Sequence, residues 1–349
     1  MVLDKESEKA MGGGKVLTVS IAGYNISSTL EECLSHFTRC RNLSNLEVII
    51  VDDGSSDNTA ELASKYVDKR PDVFKLIKKA NGGWGSTINS GIQVASGTYF
   101  KQLDGDDYYD EDNLDRFISF LDKCRADIVI TPFCHYEEST GAITRYAGID
   151  SDFISESEIP IEELPDLYPP AMHSVAVRTS ILKENNITIT EHCFYTDVEF
   201  VLKSLNYANT VQFYDLPIYY YRLGRDGQSM SIAGVQKHYK DHEKMVLGMW
   251  KYINEKSTSE LKKKIMSARV KAATMYMYKF FMALSHTRKH KEELRDFDIK
   301  LRKVAPDYYN CDYGLPVRFF RKHNFAFYGL ISTIKNRQDR KQEVFLYER

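Results

Sequence analysis

The sequence predicts an α/β fold: a mostly parallel sheet with flanking helices, followed by an α-helical C-terminal region. Three observations predict it. Short apolar runs alternate with helix-spaced segments through the first part of the chain, two acidic clusters close two of those runs, and the charge changes sign towards the end. Val51-Asp52-Asp53-Gly54-Ser55 ends the run Leu46 to Val51, and Leu103-Asp104-Gly105-Asp106-Asp107 ends the run Thr98 to Leu103. In an open α/β sheet, ligands bind in the crevice beyond the carboxyl ends of the strands, so both clusters are expected to face one pocket. Residues 1–236 carry 21 Lys and Arg against 36 Asp and Glu, a balance of −15, whereas residues 237–349 carry 26 against 13, or +13.

Each element has a local reason. Leu17 to Ala22 is a short apolar strand, and Ser28-Thr29-Leu30-Glu31 after it has capping-box spacing for a helix. Leu46 to Val51 is the second strand, after which Ser55-Ser56-Asp57-Asn58 supplies caps for a helix through Tyr66. Val73 to Ile77 is a third strand. Asn81-Gly82-Gly83-Trp84-Gly85 forms a glycine-rich loop, and Ser86 to Ala95 has the spacing of a helix packed on the sheet. Thr98 to Leu103 is the next strand, Asn113 to Cys124 a helix, and Asp127 to Pro132 a further strand. No internal repeat is present.

With 349 residues, 43% apolar and 28% charged, the chain can bury a sizeable core. Its organisation reads as a leader over 1–14, a catalytic domain over 15–236 and a basic helical region over 237–349. The six cysteines form no CxxC pair or regular framework, which argues against a zinc site or a disulfide scaffold. No run of about 18 apolar residues is present to span a bilayer. The N-terminus lacks the layout of a signal peptide, so a cytoplasmic protein is expected.

The chemistry starts from the second cluster. Three carboxylates within four residues repel one another unless solvent or a metal relieves them. Hard oxygen ligands suit Mg²⁺ or Mn²⁺, which bridge phosphate oxygens to one or two protein carboxylates, so the spacing suggests a metal–diphosphate site. The Asp-Asp-Gly-Ser turn by itself is a common structural sequence. Backbone can approach a ligand closely at the Gly82-Gly83 loop because side chains are missing there.

In this order, Ser20-Ile21-Ala22-Gly23-Tyr24-Asn25, Val51-Asp52-Asp53-Gly54-Ser55, the Asn81-Gly82-Gly83 to Asn89-Ser90-Gly91 segment, Leu103-Asp104-Gly105-Asp106-Asp107 and Tyr195-Thr196-Asp197-Val198-Glu199-Phe200 closely resemble the family 2 glycosyltransferases of GT-A fold. The resemblance covers residues 16–232. It implies a Rossmann-like GT-A sheet and inverting transfer of a sugar from a nucleotide diphosphate donor, most often a UDP-sugar, to a glycan or lipid-linked acceptor, in cell-surface polysaccharide or glycolipid synthesis. Mn²⁺ or Mg²⁺ is the implied cofactor, at Asp104 and Asp106 as the Asp-x-Asp element. Asp106 is expected on the metal itself and Asp104 near the ribose or a metal-bound water, while Asp107 has the alternative of capping the following turn.

For the nucleotide, the resemblance implies Tyr24 against the base, Asp53 as acceptor of a uracil N–H or ribose hydroxyl, and Gly83 and Asn89 in the glycine loop. A packing role at the strand end stays open for Tyr24, and Trp84 either shields the sugar or plugs the loop. Arg222 or Arg225, with Ser229 or Ser231, is implied at the diphosphate. Asp197 is the implied general base, on a helix N-terminus that tends to hold a carboxylate ionised; helix capping is its structural alternative. The family pattern has a Glu before this Asp, and here Thr196 stands in its place. Glu199 reads as structural. His173 falls in a segment that faces the acceptor in such enzymes, or is a plain core or surface histidine.

Beyond residue 237, Met245 to Ile253 and Leu261 to Met282 have helical spacing with many lysines, and Val317 to His323 leads into Phe325 to Ile334. Aromatics interleaved with Lys and Arg suit the interface of an anionic membrane, on the inner face of the cell membrane; packing on the catalytic domain or a homodimer interface is the alternative. No nucleic-acid recognition motif is present. Two other classes compete: a noncatalytic sugar-nucleotide or glycan binding subunit, and a nucleotidyltransferase, for which Ala22-Gly23-Tyr24-Asn25 lacks the glycine-rich loop. An Asp-x-Asp phosphatase is weaker, since no Gly-Thr follows Asp106.

Overall fold

A computed structural model describes residues 14–147, 157–164, 166–224, 231–285, 287–330 and 333; nearly all of the expected leader lies outside them. The chain forms β1 (Leu17–Gly23), α1 (Ser27–Thr38), β2 (Leu46–Asp52), α2 (Thr59–Lys69), β3 (Phe74–Lys78), α3 (Trp84–Val94), β4 (Tyr99–Asp104), β5 (Tyr108–Tyr109), α4 (Glu111–Leu121) and β6 (Ile128–Ile130). It continues through β7 (Phe133–Glu137), β8 (Ala142–Tyr146), β9 (Ile159–Pro160), β10 (Val175–Arg178), α5 (Thr179–Glu184), α6 (Asp197–Tyr207), β11 (Thr210–Phe213) and β12 (Tyr219–Leu223). Helices follow: α7 (Ile232–Lys256), α8 (Glu260–Ala283), α9 (Arg288–Val304), α10 (Pro306–Tyr309) and α11 (Leu315–Lys322).

The main sheet has the order β3-β2-β1-β4-β10-β6-β11-β9. The first four strands are parallel, whereas β10 runs antiparallel to both β4 and β6. The first half thus has the parallel, helix-covered sheet that continuous apolar runs predict, since a strand covered on both faces has no polar side. The second half is mixed. A smaller sheet, β5-β12-β7-β8, lies outside the sequence expectation; its strands are short and rich in Tyr, and apart from the β7–β8 hairpin their pairing is non-local.

Two helix starts differ from their expected caps. Helix α1 begins at Ser27 with no side-chain cap of its own. Instead Asp57 accepts the Ser27 N–H at 3.0 Å and Thr59 Oγ1 accepts the Ile26 N–H at 3.0 Å. Asp57, expected as a local cap of α2, therefore serves both helices, since it also accepts the Thr59 N–H at 3.0 Å. The C-terminal helices are capped locally: Ser231, Ser259 and Thr287 each accept the N–H three residues on.

Alternate residues of β2 feed two cores. Val48 and Ile50 face Phe37 and Phe117. Ile49 and Val51 belong to a cluster that continues through Phe100 and Phe200 to Trp250, Met277, Phe280 and Phe320. The helical region therefore shares its core with one face of the sheet, and α7 runs through the boundary expected at 236. Asp298 on α9 staples this region. Its carboxylate accepts bonds from Tyr278 (2.5 Å), Tyr309 (2.6 Å) and Arg321 (2.8 Å), and the Arg321 guanidinium lies 3.8 Å from the Tyr309 ring centroid.

Removing one partner of such a buried ionic group is strongly destabilising because the other stays uncompensated. Asp298→Ala is expected to lower the free energy of unfolding by about 3 kcal/mol. Arg288→Ala, which removes an exposed pair with Glu292, should change it by less than about 0.5 kcal/mol. Urea denaturation of both variants checks the contrast.

Candidate active site

Register brings the two acidic clusters together. Gly23 at the end of β1 pairs with Asp52 of β2, and Ala22 pairs with Asp104 of β4. The clusters therefore flank the end of one strand, as the sequence reading expects.

Asp53 is buried and turned into the glycine loop. Its carboxylate accepts the Gly82 N–H at 2.9 Å, the Gly83 N–H at 2.8 Å, Lys79 Nζ at 2.7 Å and Ser86 Oγ at 3.2 Å. Both oxygens are engaged, and Asp53 thereby holds the loop in place. Gly83 has φ +79°, which glycine adopts without strain, and the helix α3 starts immediately after it. Across the loop lies the segment before α6. His192 N–H donates to Gly82 O at 2.6 Å, and a Cβ on Gly85 would sit 2.3 Å from Thr190 O. Asn89 holds the same segment, accepting the Ile189 N–H at 2.8 Å and donating to Ile189 O at 2.9 Å. Its side chain thus ties α3 to this segment.

At the second cluster, donor atoms of Asp104, Asp107 and His173 all lie within 4.8 Å of one another. Among the described residues this is the one His/Cys/Asp/Glu group with that spacing, and Asp106 is not a member of it. Burial and the neighbouring Asp106 charge push the Asp104 carboxyl up to about 7, and Trp84 Nε1 donates to it at 2.8 Å. Trp84 is thereby placed on the acidic cluster. Asp107 is also raised, by burial and the two adjacent carboxylates, and accepts from Tyr219 OH at 2.5 Å and Arg222 N–H at 2.8 Å.

Burial and the nearby Lys101 charge pull His173 down to about 3, so its imidazole is neutral. The ring stacks on Tyr221 and Phe133, and its buried Nδ1 has no hydrogen-bond partner among the described residues. Crowded carboxylates beside an orphaned neutral imidazole nitrogen fit a divalent cation, whose charge would relieve the repulsion.

Asp197 is the first residue of α6. A helix N-terminus lowers a carboxyl pKa, as expected from the sequence, but burial outweighs it here and the Asp197 carboxyl is raised. The charge of Arg269, from α8, acts in the lowering direction, and the Asp197 charge in turn raises Asp104. These charges come from a strand end, a helix start and the C-terminal region, and the Arg269 guanidinium itself lies on Tyr168, 3.5 Å from its hydroxyl and 5.8 Å from its ring centroid. Tyr195, two residues before Asp197, has φ 65°, an uncommon value for an aromatic residue. Glu199 is structural as expected, accepting from Thr190 N–H at 3.1 Å and Lys203 Nζ at 2.7 Å.

Arg222 is buried, pairs with Glu32 at 2.5 Å and Glu138 at 3.4 Å, and lies over the Tyr108 ring. These contacts tie it to the small sheet. Arg225 and Ser229 lie outside the described residues. Ser231 caps α7. Tyr24 is exposed beyond β1, so it is not the packing residue of the alternative reading.

The sequence reading placed Asp107 and His173 second and missed Arg269. Asp107 carried a signal in its own cluster. His173 and Arg269 carried none that local pattern could detect, because β4 meets them through antiparallel β10 and the helical region.

Residues 18–185 match the family model described as Glycosyl transferase family 2. Glycosyltransferase GlyG of Streptococcus pneumoniae is 32% identical over 150 residues, 43% of this chain and 49% of its own. The minor teichoic acid biosynthesis protein GgaB of Bacillus subtilis is 28% identical over 224 residues, 63% of this chain and 24% of its own. The chain thus spans about half of the first relative and a quarter of the second. Residues 1–349 of S. aureus TarS, solved with UDP-GlcNAc, superpose with a TM-score of 0.58 at 17% identity over 95% of this chain and 93% of that one. At that identity the likeness establishes the fold, a GT-A sheet followed by helices.

The Asp53 geometry predicts a measurable effect. Bonds to a charged acceptor contribute about 1.5–3 kcal/mol each. Asp53→Ala is therefore expected to speed amide exchange at Gly82 and Gly83 by about ten- to hundredfold. Exchange in the β1 amides should stay unchanged, as read by hydrogen–deuterium exchange.

Proposed function

We propose that the chain is an inverting glycosyltransferase, a reading supported by the match of residues 18–185 to the family 2 glycosyltransferase model and by the fold shared with TarS. The donor is a nucleotide diphosphate sugar, UDP-linked by preference, and the acceptor a hydroxyl of a glycan or lipid-linked glycan in cell-surface polysaccharide or glycolipid synthesis. The observation that carries this reading is the grouping of Asp104 with Asp107 and His173 at the carboxyl end of β4, next to the β1–β2 end where Asp53 holds the Gly82-Gly83 loop. The complex of TarS with UDP-GlcNAc supports the donor class, and the role named for GgaB supports the setting. Peripheral contact with a membrane is consistent with a lipid-linked acceptor.

In this mechanism the Asp197 carboxylate accepts the acceptor hydroxyl proton as its oxygen attacks the anomeric carbon. The bond from that carbon to the diphosphate oxygen breaks on the opposite face, and the nucleoside diphosphate leaves with the electron pair. Asp197 is suited to the task because burial raises its basicity while Arg269 keeps the ionised form accessible. Asp104 and Asp106 carry over from the family pattern as the residues that would hold Mn²⁺ or Mg²⁺, with His173 and Asp107 beside them. When bound, such a cation supplies Lewis-acid stabilisation of the diphosphate. Asp53 keeps the Gly82-Gly83 backbone in place for the nucleotide, and Tyr24 lies exposed beyond β1, where a base could stack. Arg225, with Arg222 engaged elsewhere, is the arginine proposed for the diphosphate.

A noncatalytic binding subunit is the second reading, favoured by Thr196 at the position of the family's Glu. Its buried hydroxyl has no partner among the described residues.

Nucleoside diphosphate release from a panel of UDP-, GDP- and dTDP-sugars with Mn²⁺, with and without acceptors, separates the two. Transfer is expected from one donor and should be lost with EDTA and with Asp104→Asn. Asp197→Asn should cost about 10²–10⁴-fold in turnover with donor binding retained. Binding without release from any donor would sink the transferase reading.

The same assay over pH tests the base. Asp197 must be ionised to accept a proton, so kcat/KM should rise with pH. The midpoint should lie above the ordinary aspartate value of 3.8, because burial raises this group. Loss of that limb in Asp197→Asn identifies it.

A further inference from the structure

The end of the helical region presents a surface that the proposed transfer chemistry does not use. Among the described residues, four of the eleven exposed large hydrophobic side chains fall between residues 315 and 330: Leu315 (73% exposed), Phe319 (40%), Phe327 (43%) and Leu330 (61%). Helix α11 explains the first two. Val317, Phe320 and Arg321 face inward, the last bonded to Asp298 at 2.8 Å. The outward positions are then Leu315, Arg318, Phe319 and Lys322, spaced i, i+3, i+4 and i+7 on one side of the helix. The rings of Phe319, His323 and Phe327 touch one another, with centroids 4.4 to 5.4 Å apart. This surface is thus built on a stapled support.

Its charge is one-sided. Between Asp312 and Asp339 the sequence has five Lys or Arg and no Asp or Glu. Among the described residues, the outward basic side chains have one acidic contact, the exposed pair of Arg318 with Asp312 at 3.6 Å, a kind worth little in water. A face that mixes Phe and Leu with Arg and Lys matches the headgroup zone of an anionic bilayer, where apolar side chains enter and cations meet lipid phosphates. No helix among the described residues is long and apolar enough to cross a membrane, so the contact would lie in the interface plane.

We infer that the outward face of α11, continued by Phe327 and Leu330, docks this chain on an anionic lipid surface. The inference stands apart from the transfer chemistry, because vesicle binding needs neither donor nor acceptor and its failure leaves the transferase reading intact.

Co-sedimentation of the full chain with vesicles of phosphatidylglycerol and phosphatidylcholine, against phosphatidylcholine alone, is the test. Binding should require the anionic lipid and weaken with salt. The double variant Arg318→Gln with Lys322→Gln should bind about 25-fold more weakly, at about fivefold for each charge near the surface. Phe319→Ser with Phe327→Ser should lose at least tenfold while melting at the wild-type temperature. Equal binding to both vesicle types, or variants that bind like the wild type, would overturn the inference. So would light scattering that shows a dimer dispersed by the Phe319→Ser and Phe327→Ser pair, which would assign the face to a second copy.

Discussion

Parallel pairing of β1 between β2 and β4 is the constraint on which the rest of the site depends. Because Gly23 pairs with Asp52 and Ala22 with Asp104, two acidic turns far apart in the chain finish at one edge of the sheet. A slip of one residue would turn every buried side chain of β1 to the opposite face, so the apolar pattern that builds the cores also holds this register. Fold stability and the placement of charge thus have one cause.

The charge gathered there has a cost that the surroundings offset only in part. Asp53 is fully compensated by the Gly82 and Gly83 amides and Lys79, and so becomes part of the frame. Asp107 is held by Tyr219 and the Arg222 backbone. Asp104 accepts from Trp84 and still sits with its pKa raised to about 7. The gradient from satisfied to unsatisfied carboxylate runs from scaffold to candidate ligand, in line with the clustering of perturbed groups at functional sites.

The helical region does more than cover the sheet. Its residues continue the core that starts on β2, and its charge reaches the candidate base through Arg269. The same region fixes α11 through Asp298, Val317 and Phe320, which leaves a mixed apolar and basic face outward. The sign change in charge along the chain therefore has at least two structural destinations. The charge of Arg269, which contacts Tyr168, acts on Asp197, and Arg318 and Lys322 of α11 face outward.

The local elements of the first half were legible in the sequence, because short apolar runs ending in Gly and Asp leave few alternatives to a covered parallel strand. The two acidic clusters and the start of α6 at Asp197 were legible for the same reason, each being a strand end or a helix start. Tertiary structure alone decided which carboxylates are satisfied. Arg222 turns to Glu32 and Glu138, and Asn89 to Ile189, through partners remote in sequence. It also decided that His173 joins Asp104 and Asp107. Pattern along a chain reports burial and local backbone preference, whereas hydrogen bonding and pKa depend on neighbours that only non-local packing brings within a few ångströms.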